Sequence, residues 1–364
     1  MRKRHSVAPF LLACLTLPAS AQLEDSRQNY PKADAGLGEH IGETEVDDVM
    51  ALIETISEKI RTQYTPGEAR RDAHPKAHGC VRATFTVDPT LPEHLRAGLF
   101  QPGAKYESVI RFSNGAPNPE APDYKADTRG MAIRLSGVPG EKLVPDPAAP
   151  DAQDFILMSA PFFFMNDAHR YSEFVEVFNS DSKYAWMQLP FILGWRGTVN
   201  AYHMLSQTIA HPIYTPYFSI TPYQFGEGDA RQAVKYSARP CDQTPRAMPA
   251  NPGPNFLREA MKDSLSKGSV CMAFMVQSSQ GTDYTVEDVM TEWDETVAPF
   301  VHVAEIDIHQ QDFDTGPQNA ACESMGFNPW HALPAHKPLG AINRLRRAVY
   351  QAIDKLRNEM NGPH

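Results

Sequence analysis

The sequence predicts an α+β fold: a closed antiparallel β-barrel of about eight strands with surrounding helices, completed by a C-terminal helix. Two observations carry this expectation. Eight segments between positions 81 and 308 alternate in polarity or concentrate β-branched and aromatic residues. Eight strands is the number at which a closed barrel is just filled by side chains or by one small ligand. Apolar residues recur at helical spacing before, between and after those segments. The chain of 364 residues, 42% hydrophobic and 21% charged, is long enough to bury a sizeable core and is neither disordered, collagenous nor disulfide-dense. Its net charge of −10 argues against an extended nucleic-acid-binding surface.

Taken in order, residues 1–21 read as an export signal. Arg2, Lys3 and Arg4 precede the apolar run 7–17, and Ala19-Ser20-Ala21 supplies the small residues of a cleavage site. A lipoprotein box, Leu11-Leu12-Ala13-Cys14, is the alternative. The expected destination is the periplasm or the cell exterior. No later apolar run approaches the roughly 20 residues of a membrane-spanning helix. An N-terminal arm over 22–70 contains an amphipathic helix at 46–62, built on Val46, Val49, Met50, Ile53, Ile56 and Ile60. Strands follow at 81–87, 106–112, 130–135, 154–159, 217–225, 234–239, 270–277 and 301–308, with helices at 169–179 and 255–265 between them. Residues 71–330 thus form the barrel domain, and 331–364 a loop and a basic helix at 342–360. Cys80, Cys241, Cys271 and Cys322 remain after cleavage; an oxidising compartment permits bridges whose pairing the sequence leaves open.

Chemistry concentrates first on the last helix. Arg346, Tyr350 and Arg357 stand four and seven residues apart, which places them within about 40° of one line along the helix axis. A tyrosine with an arginine on either side is a device for stabilising phenolate, and phenolate is a known ligand of haem iron.

Four further clusters precede it: Arg71-x-x-His74-x-Lys76, Arg111-Phe112-Ser113, Asp127-x-Arg129-Gly130 and Pro161-x-Phe163-Phe164. With Arg346-x-x-x-Tyr350 and Arg357 they resemble, in order, the motifs of the haem catalase superfamily, over about 70–350. Two departures are visible. Ser159 stands where the family has a distal asparagine, and the chain runs from 327 to the tyrosine helix by a short path with four residues after it. The sequence is therefore similar to the minimal, catalase-related peroxidase branch, for which a monomer or simple homodimer is expected.

The resemblance implies haem b with Tyr350 as the iron ligand. It implies His74 as the distal base, Ser113 as the residue orienting that imidazole, and Ser159 as the remaining distal polar group. His78 is the rival base, because one extra residue separates His74 from the first strand relative to the family. Arg71, Arg111, Arg346 and Arg357 would surround the propionates and the proximal side, Phe163 and Phe164 would wall the distal pocket, and Asp127 resembles a channel acid. The implied activity is that of a haem peroxidase or weak catalase, cleaving hydrogen peroxide or an organic hydroperoxide with an unidentified electron donor. Alternatives are an organic (fatty-acid) hydroperoxide isomerase or dehydratase, and a haem-binding protein without turnover. No G-x-G-x-x-G fingerprint is present, so no nicotinamide cofactor is expected.

Overall fold

Alternating apolar side chains close the predicted strands around one core in the computed structural model, which describes residues 19–180 and 182–362. The strands are β1 (Ala77–Val87), β2 (Lys105–Asn114), β3 (Arg129–Leu135), β4 (Gln153–Met158), β5 (Tyr217–Phe218), β6 (Tyr223–Phe225), β7 (Gln232–Pro240), β8 (Val270–Ser278) and β9 (Phe300–Ile308). All pairings are antiparallel, in the order β5-β4-β3-β2-β1-β9-β8-β7-β6, and β5 also pairs with β7. That extra pairing closes the barrel. Inward residues fill it, with Phe85, Phe100, Phe155, Phe225, Tyr236 and Phe274 in mutual ring contact at its centre.

One predicted strand, 217–225, is two. Both β5 and β6 run along β7, Tyr217 opposite Ala238 and Tyr223 opposite Val234, so they are halves of one interrupted barrel stave. The interruption is at Ile220, which adopts φ +49°, and at Pro222, which has no N–H to give to a ladder. The barrel therefore keeps eight staves, and the break frees Thr221 and Pro222 to bond elsewhere.

The helices are α1 (Ala19–Gln28), α2 (Glu45–Gln63), α3 (Ala168–Asn179), α4 (Leu189–Leu205), α5 (Phe256–Lys267), α6 (Gly316–Ser324) and α7 (Ala341–Asn361). Expected helices at 46–62, 169–179, 255–265 and 342–360 are α2, α3, α5 and α7. The helices α4 and α6 have no clear apolar stripe to announce them, and α4 bends at Gly194, whose φ of +64° is outside the helical range. The apolar stripe of α2 packs outside the barrel against α3 and α7, through Val49, Ile53 and Ile56 on one side and Leu345, Val349 and Leu356 on the other. The signal expected over 1–21 lies outside the described residues except for 19–21, which open α1.

Helix α7 is fixed by a fully buried guanidinium. Arg344 bonds Glu39 at 2.9 Å, Glu45 at 2.7 Å and Glu287 at 2.9 Å, and donates to the His40 carbonyl at 2.7 Å. These partners come from the N-terminal arm, the start of α2 and the segment before β9. The preceding residue, Asn343, donates to the Pro222 carbonyl at 2.9 Å and accepts from Thr221 at 3.1 Å, so α7 docks into the break between β5 and β6. The four remaining cysteines pair as Cys80–Cys322 and Cys241–Cys271, with Cα atoms 5.6 and 5.4 Å apart. The first pair ties α6 to β1 across 242 residues of chain.

Replacing Arg344 by methionine leaves three carboxylates around an apolar side chain. We expect Arg344→Met to cost about 3–5 kcal/mol, measured by urea denaturation; a change below 1 kcal/mol would show that the network does not hold α7.

Candidate functional site

His74 precedes β1 in a left-handed conformation, φ +57°, which is costly for a residue with a Cβ and more so before a proline. Such strain persists only where the surroundings impose it. Here Arg111, on β2, donates to the His74 carbonyl at 2.8 Å, and Ser113, two residues on, meets His74 Nδ1 at 3.2 Å through Oγ. The β2–β3 register sets Gly130 opposite Ser113. A Cβ at Gly130 would lie 2.6 Å from His74 Nδ1 and 2.7 Å from Ser113 Oγ. The glycine of the Arg129-Gly130 motif is thus the space in which the imidazole rests.

The extra residue that made His78 a rival is absorbed in β1. Ala77 pairs with Ser113 and Gly79 with Phe112, so His78 is the additional residue of a β-bulge. Gly79 allows the bulge, since a Cβ there would overlap the Phe313 ring. His78 is buried, both its ring nitrogens lack a hydrogen bond, and it lines a cleft with Lys76, Asp123 and Arg258 that His74 and Ser113 do not line. Ser113 therefore orients His74. Burial pushes the His74 imidazole down to about 4, assisted by the charge of Arg111 and, further off, those of Arg346 and Arg71, while the Asn114 backbone opposes the shift. The ring is neutral at pH 7.

Ser159 follows β4 and is nine-tenths buried. Its Oγ accepts from the Arg129 N–H at 2.8 Å and donates to Gln207 Oε1 at 2.6 Å; Gln207 returns a bond to the Ser159 carbonyl at 3.1 Å. A serine hydroxyl has one proton, and here Gln207 receives it. Ser159 is accordingly placed to brace β3 against the α4–β5 connection, with no donor left for a substrate. Asp127 is similarly engaged, accepting from the backbone of Gly115 and Ala116 at 2.9 and 2.8 Å and pairing with Arg129 at 3.3 Å.

Three guanidiniums lie close enough that Arg71 and Arg357 are felt at Arg111. Arg71 and Arg357 share Glu323, each at 3.3 Å from its carboxylate and at 3.2 and 2.9 Å from its carbonyl; Arg71 also donates to the Met325 carbonyl. Asp354, half exposed, stands 4.0 Å from Arg357. Arg111 makes no ion pair among the described residues, and the buried Nε atoms of Arg111 and Arg357 are unpartnered. Burial, with the repulsion of Arg71, holds Arg111 well below the ordinary arginine value, and burial brings Arg71 down to about 10. Three cations sharing Glu323 and the half-exposed Asp354 are an arrangement short of negative charge. The two propionates of haem would supply it, so these residues fit the group.

The α7 side completes the arrangement. The buried Arg346 lies 5.3 Å from the Tyr350 ring centroid and bonds Asn343 Oδ1 at 3.2 Å and Thr221 Oγ1 at 3.5 Å. It forms no ion pair with a carboxylate among the described residues. Burial works against its charge, and the phenols of Tyr350 and Tyr223 outweigh burial, so its pKa is raised. Phe163 and Phe164 stack at 4.3 Å, and Phe163 faces Tyr171 at 6.2 Å. Tyr171 in turn feels Tyr350, which puts the distal rings and the tyrosine helix in one neighbourhood.

Glu323, Gln207 and Tyr171 were not legible as site residues. Glu323 follows Cys322, and only the disulfide reveals that it is carried to β1; Gln207 lies in a loop with no motif. His74, Ser113, Arg71, Arg111, Phe163, Phe164, Arg346, Tyr350 and Arg357 are brought together.

A closed eight-stave antiparallel barrel, carrying a partly buried imidazole before its first strand and a tyrosine–arginine helix outside it, defines the catalase class of fold. The family model for catalase matches residues 29–208. The structure is similar to a fungal catalase (TM-score 0.62, 16% identity, 88% of this chain and 63% of that one). It is similar also to catalase A from Saccharomyces cerevisiae (0.59, 16%, 88% and 66%) and to a bacterial catalase (0.58, 18%, 98% and 67%). The chain spans about two thirds of their length. It is a member of the catalase superfamily.

Gly130→Ala forces a methyl group between His74 and Ser113. Overpacking of this kind costs about 1–3 kcal/mol, so the variant is expected to lose that much stability to urea. An unchanged midpoint would mean that the histidine seat is looser than the contacts require.

Proposed function

We propose that the chain is an exported haem peroxidase that cleaves hydrogen peroxide or an organic hydroperoxide, oxidising a separate electron donor in preference to a second peroxide. The observation that carries this reading is the surplus of buried guanidinium charge at Arg71, Arg111 and Arg357, for which haem b offers a matching dicarboxylate. Tyr350 would hold the iron, Arg346 would flank its ring, and His74 would serve as the base beside Phe163 and Phe164. Bound there, haem would supply an iron able to give electrons to a peroxide O–O bond.

The residues then divide the remaining work. Ser113 takes the Nδ1 proton of His74 as a hydrogen bond, which leaves the Nε2 lone pair free. A neutral imidazole in that state receives a proton from one peroxide oxygen and returns it to the other, so that water or an alcohol departs. Arg346 stays against the Tyr350 ring, 5.3 Å from its centroid. Ser159 supports the preference for peroxidase over catalase turnover: its proton is given to Gln207, so its hydroxyl does not orient a second peroxide. Export is supported by the 1–21 pattern and by the pairing of all four remaining cysteines.

Three measurements test the reading. In Tyr350→Phe the phenolate is gone, and haem is expected to be lost or weakly held; an unchanged Soret spectrum and haem content would remove Tyr350 as the ligand. His74→Ala is expected to keep haem and lower peroxide consumption by about 10²-fold or more, with His78→Ala close to wild type; the reverse pattern would move the base to His78. Because His74 is depressed to about 4, its neutral form persists from pH 7 down to about 5. The value of kcat/KM for peroxide is therefore expected to be flat over that range and to fall as the pH drops through 4. A fall centred near 6.5 would mean an imidazole exposed to water.

A further inference from the structure

One face of the molecule is apolar well beyond what a lone soluble protein normally shows. The segment from the end of α3 through α4 exposes Phe178, Tyr184, Trp186, Phe191, Trp195 and Tyr202, with Phe191 at 88%, Trp195 at 84% and Trp186 at 67% of full exposure. Isolated exposed apolar side chains are ordinary; a cluster of large rings within 25 residues marks a surface that meets an apolar phase. The other face of α4 is well seated. Leu193, Gly197 and Met204 are buried, and Asn200 donates to the carbonyls of Phe163 and Met290 at 2.8 and 2.9 Å. Gly197 lets the helix press on the Phe164 carbonyl, 2.5 Å from where a Cβ would be. The outward rings therefore belong to a firmly packed helix.

Two features identify what the face meets. First, residues 182–226 contain no aspartate or glutamate, although 44 of the chain's 364 residues are acidic. Lys183 lies over the Tyr184 ring at 5.1 Å, and Arg170 and Arg196, half exposed, offset the neighbouring carboxylates of Asp167 at 3.9 Å and Asp288 at 3.0 Å. A chain of net charge −10 has here a face that a negative surface does not repel. Tryptophan and tyrosine with flanking cations are the side chains of the headgroup boundary. Second, a file of rings leads inward. Phe178 stacks on Phe174 at 5.7 Å, Phe174 meets Phe164 at 5.1 Å, and Phe164 meets Phe163 at 4.3 Å. A second copy seated on this face would cover the outer end of that file, whereas a bilayer would supply it.

We propose that this face docks the protein on an anionic phospholipid bilayer, lying on the surface with the rings of Phe191 and Trp195 in the headgroup–acyl boundary, and that acyl-chain hydroperoxides reach the distal pocket from the bilayer along the Phe178–Phe163 file. The docking stands without the peroxidase reading; the supply of substrate rests on it. The reaction balances as ROOH + 2 DH → ROH + H2O + 2 D•, where R is the acyl chain and DH a one-electron donor whose hydrogen atoms complete the water.

The full haem-loaded chain is mixed with phosphatidylglycerol–phosphatidylethanolamine vesicles and sedimented. Wild type is expected in the pellet, with Phe191→Ser/Trp195→Ser binding at least about tenfold more weakly, while the circular dichroism spectrum and hydrogen peroxide turnover stay unchanged. Wild type remaining in the supernatant overturns the docking. So does a wild-type dimer in sedimentation velocity that the double substitution dissociates, since a second copy is then the occupant. With phospholipid hydroperoxide in the vesicles, wild type is expected to consume it at least about tenfold faster than the double variant, the two being equal on cumene hydroperoxide. Equal rates on both substrates overturn the supply route and leave the docking. Binding without consumption of any peroxide overturns the peroxidase reading alone.

Discussion

Arg344 is the interaction on which the arrangement depends. Its guanidinium is out of water and faces carboxylates from the N-terminal arm, from α2 and from the segment before β9. A buried ion cluster is weak evidence for stability, because desolvation offsets much of the attraction, but removal of one member leaves charges with no partner. The cluster therefore specifies a position. It sets the start of α7, and every residue of the proximal side is a fixed number of turns further on: Arg346 half a turn, Tyr350 under two, Arg357 under four.

The barrel acts on the other side by register. Antiparallel pairing of β2 with β3 places Gly130 opposite Ser113, and the pairing of β3 with β4 puts the Arg129 N–H on Ser159. Because side chains alternate with period two, a slip of one residue in either pair would exchange Ser113 for a neighbour facing the opposite side of the sheet. The bulge at His78 protects that register. One extra residue is taken up before the regular ladder begins, so His74 still reaches Ser113. The left-handed backbone of His74 is the local cost, and Arg111 stabilises it from the adjacent strand.

Charge accounting joins the two sides. Arg344 is over-supplied with carboxylates, whereas Arg71, Arg111 and Arg357 have Glu323 and the half-exposed Asp354 between three, and Arg346 has phenols. A protein rarely leaves buried guanidiniums short of anions, since each unpaired donor retains its desolvation cost. The contrast between these clusters separates a structural ion network from a ligand cradle, although the residue types are the same.

The sequence by itself determined the strand content, the helices with a clear apolar face, and the identity of the site side chains, because each rests on spacing along the chain. Periodicity of two or 3.6 residues is local, and so is the step from Arg346 to Tyr350 to Arg357. It showed too that Ser159 departs from the family. What Ser159 does was decided only by the tertiary structure, since its partner Gln207 is 48 residues away and carries no pattern. The same holds for the pairing of Cys80 with Cys322, which brings Glu323 between Arg71 and Arg357, and for the break in the stave at Ile220 that receives Asn343. It also set His74, and not His78, against Ser113. Their spacings differ by a register, and register is a property of two strands together, fixed by closure of the barrel and not by either strand alone.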